Sequence, residues 1–240
     1  MTTHRTIGQI AAVHRYPVKS LSGETLDEAR FDHRGVEGDR WWAVLDPDGK
    51  LGSGKSTRRF RRMPGLLELT AEYDGGAPVV TFPDGRRLGP GPELDEALSW
   101  HVGRRVSLGQ EADVSHFDDG PVHLVTTSAV RALEKEHGAR VDARRFRANL
   151  LLDDGSGTDA EEPSLGARLA VGEALLEVVQ PMPRCVMVDM PQVGVEVDGG
   201  GLLRTIATHR ENDFGLLLRV LRPGRFRVGD EVVFQPPAIR

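Results

Sequence analysis

Turn signals cut the apolar residues of this chain into short runs, and that punctuation limits the fold more than any other feature. Pro47-Asp48-Gly49 follows the run Trp41–Leu45. Asp74-Gly75-Gly76 separates Leu66–Tyr73 from Pro78–Phe82, and Pro83-Asp84-Gly85 closes the second run. Glycine supplies the positive φ that tight turns need, and proline pre-sets the φ of the turn's first corner. Short runs between such signals read as strands joined by hairpins. Ile7–Tyr16, ending at Pro17, and the alternating Thr25–Phe31 add two strands to the first half. Arg147–Leu152 reads as a buried strand, and Leu175–Gln180, Leu216–Leu221 and Glu231–Gln235 read as later ones, with Arg222-Pro223-Gly224-Arg225 as the turn between the last two. Many short strands at regular spacing predict a barrel or a sandwich.

Helices are few. Glu93–His101 carries Leu94 and Leu98 on one face and has Gly103 as its stop. Ser128–His137 follows a Thr/Ser run, puts Val130 and Leu133 on one face and has Gly138 to close it. Leu202–Arg210 is a third. The acidic, Gly-containing Asp153–Ser164 reads as an exposed loop. A soft boundary near residues 109–119 divides the 240 residues into two units, 1–112 and 113–240, that share a core. The expected class is mainly β with a few helices (α+β).

Composition serves mainly to exclude. A net charge of −5 argues against a general nucleic-acid binder. No apolar run approaches the roughly 20 residues of a membrane helix, and the N-terminus carries no long apolar stretch of a signal peptide. A cytoplasmic protein with neither membrane nor nucleic-acid partner is expected. The single cysteine, Cys185, forbids an internal disulfide, a four-cysteine zinc site and an all-cysteine iron–sulfur cluster. The eight histidines form no HxxxH or HExxH pair. No strand-linked GxGxxG announces a dinucleotide site. Any redox chemistry here therefore draws electrons from another molecule.

Four local patterns carry chemistry. Gly49-Lys50-Leu51-Gly52-Ser53-Gly54-Lys55-Ser56 fits GxxxxGK[ST], but the run after it lacks an apolar stripe and meets Pro64-Gly65, so the phosphate-binding helix of a P-loop is not expected. Arg58, Arg59, Arg61 and Arg62 read as a solvated basic loop. Arg184 beside Cys185 favours the thiolate, the form that ligates metals. Thr126-Thr127-Ser128 opens the best helix, where hydroxyls and free N–H groups serve either phosphate binding or ordinary capping.

Five stretches together resemble the MOSC family, named for the C-terminal domain of molybdenum-cofactor sulfurases and including the mitochondrial amidoxime-reducing components and their bacterial relatives. They are Tyr16-Pro17-Val18-Lys19-Ser20, Gly38-Asp39-Arg40-Trp41, Arg145-Phe146-Arg147-Ala148-Asn149-Leu150, Pro183-Arg184-Cys185, and Phe214-Gly215 with Gly224-Arg225-Phe226-Arg227-Val228-Gly229-Asp230. Ala148 stands where the family has proline, and Met182 where many relatives have cysteine. The resemblance implies an N-terminal β-barrel-like module packed on a β-barrel MOSC domain. It also implies a molybdenum–molybdopterin cofactor. Lys19, Ser20 and Arg40 would hold its phosphate, Thr126, Thr127, Ser128, Arg147, Asn149 and Arg184 would line it, and Cys185 would ligate the metal. The function so implied is an oxidoreductase that reduces small N-hydroxylated or N-oxide compounds, with electrons from a separate ferredoxin, flavoprotein or haem protein. The alternative is a sulfur or cofactor carrier that uses a persulfide on Cys185.

Overall fold

In the computed structural model, residues 4–155, 163–195 and 200–235 are described. Seven strands close a barrel: β1 (Arg5–Arg15), β2 (Val122–Thr126), β3 (Leu150–Asp153), β4 (Arg168–Val171), β5 (Ala174–Pro183), β6 (Asp213–Arg222) and β7 (Glu231–Gln235). Their order around the wall is 1-3-2-6-5-4-7 and back to 1. The pair β2–β3 is parallel and the other pairs are antiparallel. A parallel pair needs a crossover. Of the three α-helices among the described residues, α1 (Pro92–Val102), α2 (Thr127–His137) and α3 (Leu202–His209), α2 supplies that connection. No helix among the described residues is long and apolar enough to cross a membrane.

The barrel is filled by alternate residues of its strands. Ile10, Val13, Leu124, Leu152, Leu169, Leu176, Leu218 and Val232 are buried in one cluster. Each such side chain stabilises the fold by about 1.5–3 kcal/mol relative to leaving it in water. Closure depends on β1, which comes from the other end of the sequence. Its register shifts at Thr6/Gly8 and again at Ile10/Ala12. Bulges of this kind bend a strand, and here they fit β1 between β3 and β7. Gly8 is needed at the first: its φ is 151°, and a Cβ there would lie 2.2 Å from the Asp153 carbonyl oxygen.

The remaining strands form smaller sheets. Trp42–Leu45, Leu51–Ser53, Phe60–Arg62 and Ser107–Gln110 make one, and Thr70–Asp74, Ala77–Thr81 and Arg87–Leu88 make another. With α1 they enclose a second core of Val18, Leu21, Val44, Met63, Leu66, Leu69, Leu94 and Leu98. The first and last parts of the chain interlock again where Glu28–Asp32 pairs with Gly224–Arg227 and Phe31 stacks on Phe226 at 4.1 Å.

Most expected elements occur, and the differences have local causes. Leu66–Tyr73 is not one strand. Gly65, at φ 87°, starts a 3-10 turn over Leu66–Glu68, and the strand begins at Thr70. Leu66 and Leu67 are both buried, which the period-two alternation of a half-buried strand does not allow. Thr25–Phe31 is interrupted at Asp27, giving strands Glu24–Leu26 and Glu28–Asp32. Gly224 and Arg225, read as part of a turn, begin a strand that runs to Arg227. The strand expected from Arg147 starts at Leu150, because Arg147 is left-handed. Helices α1 and α2 do stop at Gly103 and Gly138, both left-handed. Of the expected loop Asp153–Ser164, residues 156–162 lie outside the described residues.

Candidate functional site

The N-terminal half brings two cations together by backbone pairing. After β1, residues 16–19 run beside residues 40–42. Arg40 N–H donates to the Tyr16 carbonyl at 2.7 Å, Trp42 N–H to Pro17 at 3.1 Å and Lys19 N–H to Trp42 at 2.7 Å. Asp39, fully buried, accepts from the Tyr16 N–H at 2.8 Å and pairs with the Arg40 guanidinium. Arg34 clamps the Asp39 and Arg40 carbonyls from behind. Gly38 permits this packing, because at φ 82° a Cβ would stand 2.7 Å from the Tyr73 ring. Lys19 ends only 4% exposed and ion-paired with Asp118. Burial pushes its pKa down to about 8, against the pull of Asp118.

The C-terminal half supplies the facing wall. A 3-10 turn, Ala143–Phe146, ends on Arg147 at φ 53°. The Arg147 and Arg40 guanidinium groups lie 4.3 and 4.8 Å from the centre of the buried Tyr16 ring. Arg147 Nη1 and Nη2 are buried with no hydrogen-bond partner, and burial pushes its pKa down to about 10. Arg145 is fully buried. Its Nε donates to the Val188 carbonyl at 2.7 Å, its Nη2 lies 3.6 Å from Asp189, and neither Nη has a hydrogen-bond partner. Strand β5 then delivers Cys185, the residue that opens a 3-10 turn over Val186–Asp189 and remains half-buried.

These residues surround a cleft of about 320 Å³ lined by Lys19, Ser20, Arg40, Lys55, Arg145, Arg147, Arg184, Asp118, Asp119 and Cys185 among others. Six Lys and Arg side chains face two Asp, so the lining is cationic in a chain whose net charge is −5. The backbone is strained here as well. Among the described residues five non-glycine residues take positive φ, and three of them, Ser20 (66°), Arg40 (53°) and Arg147 (53°), line the cleft. Such conformations cost about 1–3 kcal/mol each and persist where the surroundings enforce them, commonly at ligand sites.

Of the residues singled out from sequence, Lys19, Ser20, Arg40, Arg147, Asn149, Arg184 and Cys185 meet at this cleft, and Thr126, Thr127 and Ser128 do not. Thr126 Oγ1 accepts from the Ala129 N–H at 3.1 Å and so caps α2. Thr127 donates to Asp153 and Asp154, and Ser128 N–H to Asp154 at 2.9 Å. The helix start thus satisfies its orphan donors with the chain's own carboxylate. Two cleft residues are committed to architecture. Asn149 Oδ1 accepts from the His123 N–H at 3.1 Å, and its Nδ2 donates to the His14 carbonyl at 3.3 Å. Arg184 Nε donates to the Phe214 carbonyl at 2.8 Å and Nη1 to that of Phe146 at 3.0 Å. Burial pushes its pKa down to about 9. Its Nη2 meets His123, which burial holds well below 6.5 and neutral.

The P-loop look-alike is a strand, Leu51–Ser53, paired in parallel with Phe60–Arg62, and no helix starts at Lys55-Ser56. Lys55 nevertheless belongs to the cleft, as do Asp118 and Arg145. Lys55 stands in the look-alike and Arg145 in the stretch Arg145–Leu150, but neither pattern points that residue at this cleft, and Asp118 lies in no pattern at all; only the folded chain brings the three together. Among the described residues no three of His, Cys, Asp and Glu converge as a metal cage, and Cys185 supplies the cleft's one thiol.

Residues 104–233 match the MOSC domain, more than half of the chain, and residues 7–96 match the MOSC N-terminal beta barrel domain. The chain belongs to the MOSC family. Among its relatives, mitochondrial amidoxime reducing component 2 is 24% identical in Rattus norvegicus and 23% in Homo sapiens, each match covering 94% of this chain and 83% of the relative. A molybdenum cofactor sulfurase of Drosophila grimshawi is 24% identical over 77% of this MOSC chain, which spans 28% of that larger protein. The crystal structure of the YuaD protein from Bacillus subtilis shares the fold with a TM-score of 0.53 at 14% identity, covering 98% of this chain and 99% of that one.

Proposed function

We propose that this MOSC protein binds a molybdenum–molybdopterin cofactor in the cationic cleft. It would act as an oxidoreductase on N-hydroxylated or N-oxide compounds, fed by a separate electron-donor protein. One observation carries the reading: Arg147 presents two buried, unpartnered guanidinium nitrogens to a cleft that also holds Cys185. A buried donor left unpaired costs about 1–3 kcal/mol, more when charged. That cost is recovered when an anionic oxygen enters. The relatives named for amidoxime reduction and for the molybdenum cofactor supply the chemical class.

The residues fit such a group. Lys19, Arg40 and Arg147 supply charge-assisted donors for its phosphate. Ser20 donates its own proton to the Gly52 carbonyl at 3.0 Å, so its role is to hold the strained corner between the cations. Arg184 and Asn149 keep the cleft wall in place through backbone groups. The Cys185 thiolate offers the soft ligand a molybdenum centre takes, and the bound metal would supply the two-electron redox chemistry. Met182, Pro183 and Met187 give the cleft beside Cys185 an apolar side, against which the carbon skeleton of a substrate would pack.

The test is elemental analysis and pterin fluorescence on protein made in a molybdate-supplied host, followed by assay with reduced viologen and a hydroxylamine. About one molybdenum per chain and turnover with viologen but not with NADH are expected. Metal-free protein from that host would overturn the proposal. Persulfide on Cys185, with cofactor bound but no turnover, would move the function to a sulfur or cofactor carrier.

A further inference from the structure

Lys19 and Lys55 reach the cleft from different segments and share one support. Their ammonium groups lie 4.7 and 5.3 Å from the centre of the buried Phe60 ring. A ring face attracts cations but does not neutralise them. Asp118 does that: one carboxylate oxygen pairs with Lys19, and the other stands 3.6 Å from Lys55. The pairing depresses Asp118 below the usual carboxylate range although burial alone would raise it.

The fold delivers this carboxylate deliberately. Arg59 Nη2 donates to the Ser115 carbonyl at 2.7 Å and to that of Phe117 at 3.0 Å. Arg34 lies over the Phe117 ring at 4.2 Å and pairs with Glu111. The segment before Asp118 is therefore pinned on both sides, while the Asp118 side chain, 23% exposed, keeps a way out to solvent. Lys55 is a third exposed and is held to the Lys19 segment by the bond from Ser20 to Gly52.

We propose that Lys19 and Lys55 form a two-lysine subsite for a phosphate monoester, with Asp118 as its resident counter-ion, displaced when the phosphoryl group enters. This rests on the cofactor reading above and adds Lys55 as a ligand and Asp118 as the group that sets affinity. A carboxylate and a phosphoryl group offer the same anionic oxygens to the same ammonium groups. Both in one place would repel, so the phosphate competes with the chain's own anion. Until an anion enters, Asp118 holds together two like charges that would otherwise push apart.

The experiment is calorimetric titration of inorganic phosphate into the full chain made without molybdate. Asp118→Asn keeps the shape and removes the charge; it should bind phosphate about tenfold tighter than the natural protein. Asp118→Glu restores the charge and should bind within a few-fold of it. Lys55→Met should bind about tenfold more weakly. Asp118→Ser repeats the test should the asparagine variant fold poorly, with circular dichroism to establish the fold of each. Equal or weaker binding by both uncharged variants would overturn the proposal, as would unchanged affinity in Lys55→Met. Failure of the cofactor reading is seen separately, as absent molybdenum in loaded preparations that still show the phosphate effects.

Discussion

At the residue scale the cleft is a set of charges held against the cost of burial, and Lys19 shows how that cost becomes measurable. Its pKa is lowered from 10.5 to about 8, chiefly by burial. Over that interval the unfolded chain binds more protons than the folded one at this site. Lys19 therefore favours folding more as pH rises from about 8 toward 10.5. Anion binding runs the other way, since it needs the charge that Lys19 gives up. Phosphate affinity should fall as pH passes about 8, and Lys19→Arg, which stays charged, should flatten the profile. Titration calorimetry at a series of pH values decides it; a flat profile in the natural protein would show that Lys19 does not bind the anion. Cys185 makes the second prediction at this scale. Cys185→Ser should lose bound molybdenum and all N-reductive turnover while the barrel melts within a few degrees of the natural protein. Equal metal and full activity would remove the thiolate from the mechanism.

At the element scale the sequence was most readable where local chemistry decides the outcome. Gly103 and Gly138 end their helices because only glycine enters the left-handed region freely, and that rule needs no tertiary context. Leu66-Leu67 misled because an apolar pair fits a strand or a 3-10 turn equally, and the second core selects the turn. The site divides in the same way. Lys19, Arg40 and Cys185 lie in recognisable stretches, whereas Asp118 meets Lys19 across 99 residues and leaves no local trace. The Thr126-Thr127-Ser128 run is one pattern with two physical uses, and in this structure the Thr126 side chain caps α2 while the Thr127 and Ser128 hydroxyls bond to Asp153 and Asp154. Thr126→Ala should therefore cost about 1 kcal/mol. For a chain of this size that is a melting temperature lower by about 2–4 °C. Cofactor occupancy should stay unchanged, because no atom of the run lines the cleft. Lost occupancy in a well-folded Thr126→Ala protein would place the helix start back in the site.

At the scale of the whole molecule the two halves recognised as separate family domains are joined by strand exchange, and the cleft lies where they meet. Strand β1 belongs to the first half of the sequence yet fills the gap between β3 and β7, pairing Gln9–Val13 with Leu150–Asp153 and Arg5–Gln9 with Glu231–Phe234. Without it the barrel is an open sheet with two unpaired edges and an apolar interior exposed at Leu152 and Val232. Lys19 and Ser20 follow closely on β1, and Arg40 pairs through its backbone N–H with Tyr16 just beyond that strand, so the strand that closes the barrel also places the cationic corner of the cleft that Cys185 lines. Two consequences follow. A fragment of residues 113–240 should fail to give a cooperative melt, whereas the full chain should unfold in one transition with calorimetric and van't Hoff enthalpies in agreement. Gly8→Ala should imitate the deletion in milder form. Its new Cβ would meet the Asp153 carbonyl oxygen at 2.2 Å, and relief requires β1 to move away from β3. The variant should lose several kcal/mol of stability, and phosphate affinity should fall with it as the Lys19 corner shifts. Calorimetric melting and phosphate titration on the same preparations test both. A fragment that melts cooperatively, or a Gly8→Ala protein as stable as the natural one, would mean that the barrel closes without β1.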